Sequence, residues 1–165
     1  PIGSRGLGDV YKRQNKIRVP VNKENVLKSG IVKPEDAELI VDYIDIDLPK
    51  SGLYKNRLMM LDILHNNDWK RPIYFTGGSY EDEEYIWMKS YLQLDGLVYK
   101  LVPIETPENP INPYQMGRID ADKMYNIVKK WDWGNADSNQ IYHDPETRKN
   151  SISFRSNLTL SLIHI

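Results

Sequence analysis

The chain has 165 residues, with 22 basic and 23 acidic side chains and no cysteine. This length is enough for one domain with a hydrophobic core. The near-neutral charge argues against a surface for nucleic acid, which needs clustered basic residues, so we expect no nucleic-acid partner. The lack of cysteine excludes disulfides, zinc–thiolate sites and thiol catalysis, and it fits the cytoplasm and the periplasm equally. No uninterrupted apolar stretch approaches the ~20 residues that cross a bilayer, so no membrane span is expected within this sequence.

The two ends of the chain are related to each other at the level of DNA. Asp9–Gln14 can be encoded as GAT GTG TAT AAG AGA CAG, and the reverse complement of that string encodes Leu160–Ile165. Inverted repeats of this kind are typical of a transposase, and the string resembles the mosaic end used to fragment DNA for sequencing. We therefore predict that residues 1–14 and 160–165 are derived from an adaptor and are not native. Residues 15–159 are then expected to be a soluble α/β domain cut from a larger protein.

The first predicted elements are short. An extended segment is expected over Ile17–Val21, where Pro20 restricts it to a sheet edge or a strand end because proline has no backbone N–H to donate. A helical turn follows over Asn25–Ser29 and is closed by Gly30 as a C-cap. Pro34 then begins another short helix, since proline is favoured in the first turn.

A half-buried strand is expected next, ending at Pro49. Apolar residues of one parity alternate with mostly polar residues of the other, namely Ile40, Ile44, Ile46 and Leu48 against Tyr43, Asp45 and Asp47. Together with Asp42, these carboxylates suggest calcium. The segment lacks the glycine and the terminal glutamate of an EF-hand loop, so a solvated polar face is favoured and no metal site is predicted.

The middle of the chain alternates helices and strands. Leu53–Asn67 contains good helix formers and apolar residues around a wide arc, which predicts a well-buried helix. A strand over Arg71–Thr76, a helix that is capped by Ser79 and runs to Gln93, and a strand over Leu97–Ile104 follow. This order predicts a loop-rich α/β fold of two or three layers, in which helices flank a partly parallel sheet.

The last third of the chain is expected to contain more irregular structure. Prolines make Thr106–Gly117 an irregular connection. Asp120 should cap a helix with an apolar stripe that ends at Gly134. Asn135–Asn150 is polar and rich in turn residues, and a further helix should begin at about Ser151.

A glycine pair separates the strand and the helix of the middle region. Gly77, Gly78 and Ser79 occupy the position where free backbone N–H groups can hold a phosphate. One alternative function is therefore a domain that binds a nucleotide or another phosphorylated ligand at this turn. The motifs G-x-G-x-x-G and Gly-Lys-Ser/Thr are missing, and the acidic run Glu81–Glu84 would repel an anion. A tight turn before an acid-capped helix is favoured.

Aromatic residues form the second candidate site. An indole face can stack on the C–H side of a sugar while carboxylates bind the hydroxyl groups. The candidate contacts to a glycan or an acceptor protein are Trp69, Tyr74, Trp87, Asp132 and Trp133. Packing in the core is the favoured alternative for Trp131 and for Trp133, because tryptophan commonly anchors cores.

The segment His143–Glu146 combines groups that occur in acid/base and metal sites. Asp144 is equally suited to cap a helix with Pro145 at its first position, and this interpretation is favoured. No G-x-S-x-G motif occurs, and no serine and histidine stand at an informative spacing. We therefore predict no catalytic residue in this chain.

Several long strings carry a family resemblance, and together they span nearly all of Ile17–Leu158. They are Leu58–Leu64, Asn67–Phe75, Tyr91–Pro103, Gly117–Asp120, Trp131–Gly134 and Tyr142–Arg148. In these strings the chain resembles a bacterial family of large multi-pass membrane proteins, long described as a domain of unknown function. That family is similar to protein O-mannosyltransferase-like enzymes of the GT-C glycosyltransferase class.

The resemblance implies a location and a role. Enzymes of this class have a membrane-embedded N-terminal half that uses a lipid-phosphate-linked sugar donor and holds the catalytic carboxylate in an early extracytoplasmic loop. This chain resembles the region after that half, so no catalytic residue and no cofactor carries over to it. The implied function is an extracytoplasmic, periplasmic accessory domain whose partners are the membrane half of the same protein and an acceptor protein or glycan. A rigid spacer is the simpler alternative.

Overall fold

The computed structural model describes residues 16–48, 54–76, 85–112 and 115–163, which contain two sheets and four α-helices. The strands are β1 Lys16–Pro20, β2 Tyr43–Asp47, β3 Tyr74–Thr76, β4 Leu92–Asp95, β5 Val98–Leu101 and β6 Arg118–Ile119. The α-helices are α1 Lys23–Lys28, α2 Lys55–Asn67, α3 Ala121–Val128 and α4 Pro145–Ile163. Two 3₁₀ helices span Pro34–Leu39 and Ile86–Tyr91.

Strands β1 and β2 form a two-stranded antiparallel sheet. Ile44 and Ile46 are fully buried, whereas Asp45 faces outward and accepts hydrogen bonds of 2.8 and 3.0 Å from the Arg18 guanidinium. The alternation predicted for β2 is therefore confirmed, as is the extended segment that ends near Pro20. Pro49 lies outside the described residues.

The second sheet has the strand order β3-β5-β4-β6. Strands β3, β5 and β4 are antiparallel neighbours, and β6 runs parallel to β4. The sheet is thus mixed, and the expected α/β class with partly parallel strands is confirmed. Its buried side chains join those of the first sheet and of the helices in one core, which includes Val26, Ile44, Leu92, Leu94, Leu101, Val102 and Met124.

The helix predicted to run to Gln93 is wrong over its described part. Ile86–Tyr91 forms a 3₁₀ helix, and the chain then enters β4, where Leu92 pairs with Leu101 and Gln93 with Lys100. All four residues of β4 are buried, although the apolar Leu92 and Leu94 alternate with the polar Gln93 and Asp95. This alternation indicates a strand, but it covers only four residues, the shortest run that does so, and it directly follows the residues that suggested a helix.

Helix α2 exists as predicted, but the prediction that it is well buried is wrong. Leu64 is buried, whereas Leu58, Met59 and Ile63 are 52%, 58% and 57% exposed. The apolar residues are spread around the whole helix, so packing one side against the core leaves the others in solvent.

The helix boundaries follow from capping. Asp120 caps α3, since its carboxylate accepts a 3.1 Å hydrogen bond from the Lys123 backbone N–H, although α3 ends at Val128 and not near Gly134. The Asp144 carboxylate accepts hydrogen bonds from the backbone N–H groups of residues 146 and 147, so α4 begins at Pro145. The favoured interpretation of Asp144 is confirmed, and the expected start at Ser151 is six residues too late.

Within the described residues, no helix is both long enough and apolar enough to cross a membrane.

Candidate functional site

A cleft of about 850 Å³ lies between the segment that follows α1 and helix α3, with strands β4 and β5 at its base. Its polar lining comes from three parts of the chain, the Ile31–Asp36 loop, the second sheet and α3. The charged residues that line it are Lys33, Glu35, Asp36, Lys100, Asp120, Asp122, Lys123 and Lys130. We call it the Lys100 cleft.

The base of the Lys100 cleft is a buried charge cluster. Asp95 accepts hydrogen bonds from Lys123 at 2.5 Å and from the Gln93 amide at 2.9 Å. The ammonium of Lys100 lies 3.7 Å from the same Asp95 carboxylate and donates a 2.5 Å hydrogen bond to the Ile31 carbonyl. The side chains of Asp95 and Lys100 are only 4% and 3% exposed. Two lysines thus share one carboxylate, because β4 and β5 are paired strands and α3 contacts β4.

The two lysines that share the Asp95 carboxylate have pKa values shifted in opposite directions. Burial, together with the neighbouring Lys123 ammonium, lowers the pKa of Lys100 to about 8. Burial also disfavours the charge on Lys123, but its hydrogen bond to Asp95 outweighs that effect and raises the pKa of Lys123. Lys123 therefore holds its proton firmly, while Lys100 releases its proton more readily than an ordinary lysine.

Two further ion pairs form the rim of the Lys100 cleft. Lys33 lies 3.1 Å from Asp120, and Arg118 lies 2.7 Å from Asp36. Burial would raise the pKa of Asp120, but the hydrogen bonds from the Lys123 backbone and from Lys33 lower it. The carboxylates nearest the sheet are thereby engaged by basic groups, so the arrangement favours holding the loop, the sheet and α3 together over acid/base chemistry.

Sequence reasoning did not find this cluster. The available signal was Lys100 itself, a lysine inside the otherwise apolar run of β5. Lysine is almost never fully buried unless it is paired, so its presence in a strand between two others implied a hidden acidic partner. The sequence of β5 does not indicate which acidic residue is that partner.

The aromatic residues predicted as glycan contacts do not share one surface. Trp69 is 5% exposed and donates a 2.9 Å hydrogen bond from its indole to the Pro20 carbonyl, so it belongs to the core. Trp87 is half-buried, and the Arg57 guanidinium lies 5.8 Å from the centre of the Trp87 ring. Tyr74 is 47% exposed and stands opposite Lys100 in the sheet. Trp69, Trp87 and Trp133 line three different cavities.

Trp133 lies in a cluster of three aromatic rings. Its ring centre is 5.5 Å from Trp131 and 5.7 Å from Phe154 of α4. Trp131 packs against the core, as favoured. The core packing favoured for Trp133 is wrong, since Trp133 is 47% exposed and lines a cleft of about 540 Å³. The neighbouring Asp132 is exposed, and its carboxylate accepts a hydrogen bond from the Gly134 backbone N–H.

The other candidate sites have simpler outcomes. Asp42 and Asp47 are exposed and lie 2.8 and 3.4 Å from Lys23 and Lys16. Together with the Asp45 pair described above, they confirm the favoured solvated, ion-paired face. The described residues contain no group of three histidine or carboxylate side chains suited to a metal ion. Gly77, Gly78 and Ser79 lie outside the described residues, so the phosphate turn stays a prediction.

The fold and the Lys100 cleft define a mixed α/β domain whose charged groups mainly pair with each other. The protein family TMEM260-associated domain 2 matches residues 9–123. The chain belongs to this family, a domain linked to a membrane protein family. No curated protein and no solved structure matches the chain. The matched range includes every ion pair of the Lys100 cleft, and it begins inside the segment 1–14, whose adaptor origin stays a prediction.

Proposed function

We propose that this chain is an extracytoplasmic accessory domain of a membrane glycosyltransferase of the protein O-mannosyltransferase-like type, without catalytic activity of its own. The observation that carries the proposal is the family membership over residues 9–123, which links the domain to a membrane protein. The resemblance of the long strings in Ile17–Leu158 to transferases of this class supports the enzymatic setting.

The charge pairing in the Lys100 cleft supports a role other than catalysis. Asp95 is held by Lys123, Asp120 by Lys33, and the Asp36 carboxylate by a guanidinium. A general base must be within reach of a substrate proton and must be free to take it. Carboxylates already engaged in this way stabilise a fixed arrangement of loop, sheet and helix instead.

The exposed side of α2 supports contact with the rest of the parent protein. Leu58, Met59 and Ile63 are each more than half exposed, and Tyr54 just before the helix is 63% exposed. Single exposed apolar residues are ordinary, but a group of them on one helix is typical of a surface that meets another part of a protein. We assign this surface, the α2 face, to contact with the membrane-embedded half of the same protein.

The first test of the proposal is to determine the full sequence of the parent gene. Reading outward from residues 15 and 159 in the source DNA should show many apolar spans of membrane length upstream, with an acidic residue in the first outer loop. A short gene without such spans would contradict the proposal.

The second test uses the parent protein in a sugar-transfer assay. Charged substitutions on the α2 face, Met59→Arg with Ile63→Arg, should reduce transfer by the parent, because they prevent docking of this domain. Lys55→Glu is the matched control, since it changes charge at the exposed start of the same helix. Sugar transfer by the 165-residue chain alone would overturn the non-catalytic assignment, and full activity of the double variant would remove the α2 face from the proposal.

A further inference from the structure

The cleft beside Trp133 combines an aromatic platform with cationic side chains. Trp133 forms one wall, and the N-terminal half of α4 forms the other through Thr147, Arg148, Ser151, Ile152 and Arg155. Ala136, Asp137 and His143 complete the lining. This Trp133 cleft lies outside the range 9–123 matched by the family, so an inference about it does not depend on the proposed function.

The indole of Trp133 is held in place but remains accessible. An edge contact with Trp131 and a tilted contact with Phe154 hold the ring, while 47% of the residue stays exposed. A rigid, half-exposed aromatic face loses little conformational entropy on binding and offers an apolar surface with a polar edge. Such a face suits the C–H side of a sugar ring.

The charge of the lining selects for an acidic ligand. Arg148 and Arg155 are exposed and stand seven residues apart on α4, so they lie on the same side about 10 Å apart along the helix axis. Asp137 is the single acidic residue among the described residues of this lining, which leaves an excess of positive charge. A guanidinium binds a carboxylate through two parallel hydrogen bonds.

His143 supplies a second, independent sign of a missing partner. Its Nε2 atom is buried and has no hydrogen-bond partner within the described part of the chain. Buried polar atoms are nearly always paired, so an orphaned one calls for an explanation. Because Nε2 is shielded from solvent, a ligand hydroxyl in the Trp133 cleft provides this hydrogen bond only when the imidazole, which lines the cleft, rotates toward the ligand.

From this combination we propose that the Trp133 cleft binds a sugar residue that carries a carboxylate, such as a uronic acid. The pyranose ring stacks on Trp133, the carboxylate pairs with Arg155 of α4, and a hydroxyl group bonds to the rotated His143 ring. A free acidic monosaccharide and a terminal acidic unit of a glycan share this chemistry.

The test is an NMR titration of the 165-residue chain with glucuronic acid and with glucose, which has the same ring without the carboxylate. Glucuronic acid should shift the Trp133 indole signal and the amide signals of residues 143–155, with an affinity roughly tenfold above that of glucose, since hydrogen bonds between charged groups are stronger than neutral ones. Equal affinities for the two sugars would overturn the acidic assignment. No shift of the Trp133 signal with either sugar would overturn the site itself.

Two variants distinguish binding in the Trp133 cleft from attraction to the net charge of α4. Arg155→Gln should lower the affinity for glucuronic acid to that for glucose. Lys149→Gln removes the same charge from the same helix outside the cleft lining and should leave the affinity unchanged. Equal losses in the two variants would show attraction to the net charge of α4 only and would refute the Trp133 cleft as a built site. The fingerprint spectrum of each free variant checks that the fold is intact.

Discussion

The approach of β6 to β4 depends on one glycine. Gly117 has φ +66°, and a Cβ atom added there would lie 1.9 Å from the Leu92 carbonyl oxygen, which belongs to the neighbouring strand β4. The oxygen is part of the backbone, so no side-chain rotation can relieve the overlap. An alanine at this position would force β6 away from β4.

The size of the effect has two parts. The left-handed backbone costs an alanine about 1–2 kcal/mol, and forcing an additional methyl group into a packed site costs about 1–3 kcal/mol. We therefore expect Gly117→Ala to lower the free energy of unfolding by about 2–5 kcal/mol. At about 2–4 °C of Tm per kcal/mol for a chain of this size, the melting temperature should fall by roughly 10 °C.

Gly30→Ala is the matched control for the backbone part alone. Gly30 has nearly the same φ, +67°, but a Cβ atom there would meet nothing within 4 Å. Its substitution should cost only about 1–2 kcal/mol. Urea unfolding followed by circular dichroism measures both variants. Equal losses of stability would refute the claim that contact between β6 and β4 requires glycine at position 117.

The charge cluster of the Lys100 cleft leads to three further predictions. Asp95→Asn leaves two lysines without their shared carboxylate and should destabilise the domain by about 3–5 kcal/mol in urea unfolding; a loss below 1 kcal/mol would mean that the cluster is solvated. Because the pKa of Lys100 is about 8 when folded and 10.5 when unfolded, the unfolded chain binds more protons between these values, so stability should rise from pH 8 to 10.5 by at most about 1.4 kcal/mol per pH unit. Lys100→Met should remove that rise, and a flat profile of the unaltered chain would contradict the assignment. Asp120→Ala removes both the cap of α3 and the partner of Lys33 and should cost about 1–2 kcal/mol, compared by thermal unfolding with the exposed Asp122→Ala, which should change little.

Local patterns in the sequence predicted the elements whose two faces have different surroundings. Ile44 and Ile46 face the core while Asp45 and Asp47 face solvent, so the alternation of β2 is visible in the chain itself. The caps at Asp120 and Asp144 were equally readable, because a capping side chain bonds to backbone groups two or three residues away.

Elements whose burial depends on distant parts of the chain could not be predicted from local sequence in the same way. The β4 residues Leu92–Asp95 alternate apolar and polar side chains, but four residues are the shortest run that indicates a strand, and the burial of the polar Gln93 and Asp95 depends on neighbours that only the fold supplies. For α2, helix-forming residues predicted its existence, but which side is buried depends on packing against the rest of the domain. The exposure of Met59 and Ile63 follows from that packing.

Part of the Lys100 cluster was beyond sequence reasoning because its contacts join distant parts of the chain. Lys123 and Asp95 are separated by 28 residues, and Lys100 and the Ile31 carbonyl by 69. Asp95 is only five residues from Lys100, but a helix was predicted where β4 pairs with β5, so this contact was not visible either. Trp133 was a candidate because an indole beside a carboxylate can contact a sugar, but the sequence favoured core packing, so its exposure and its cleft with α4 required the structure.

The most direct test of the proposed function is the side of the membrane on which the domain lies. Ile111 is 92% exposed outside the α2 face and the chain has no cysteine, so Ile111→Cys in a cysteine-free version of the parent protein provides one labelling site. Intact cells, with the outer membrane made permeable where one is present, are treated with a maleimide that cannot cross the inner membrane. An extracytoplasmic accessory domain should be labelled in intact cells to the same extent as after lysis. Labelling only after lysis would place the domain in the cytoplasm and contradict the proposal.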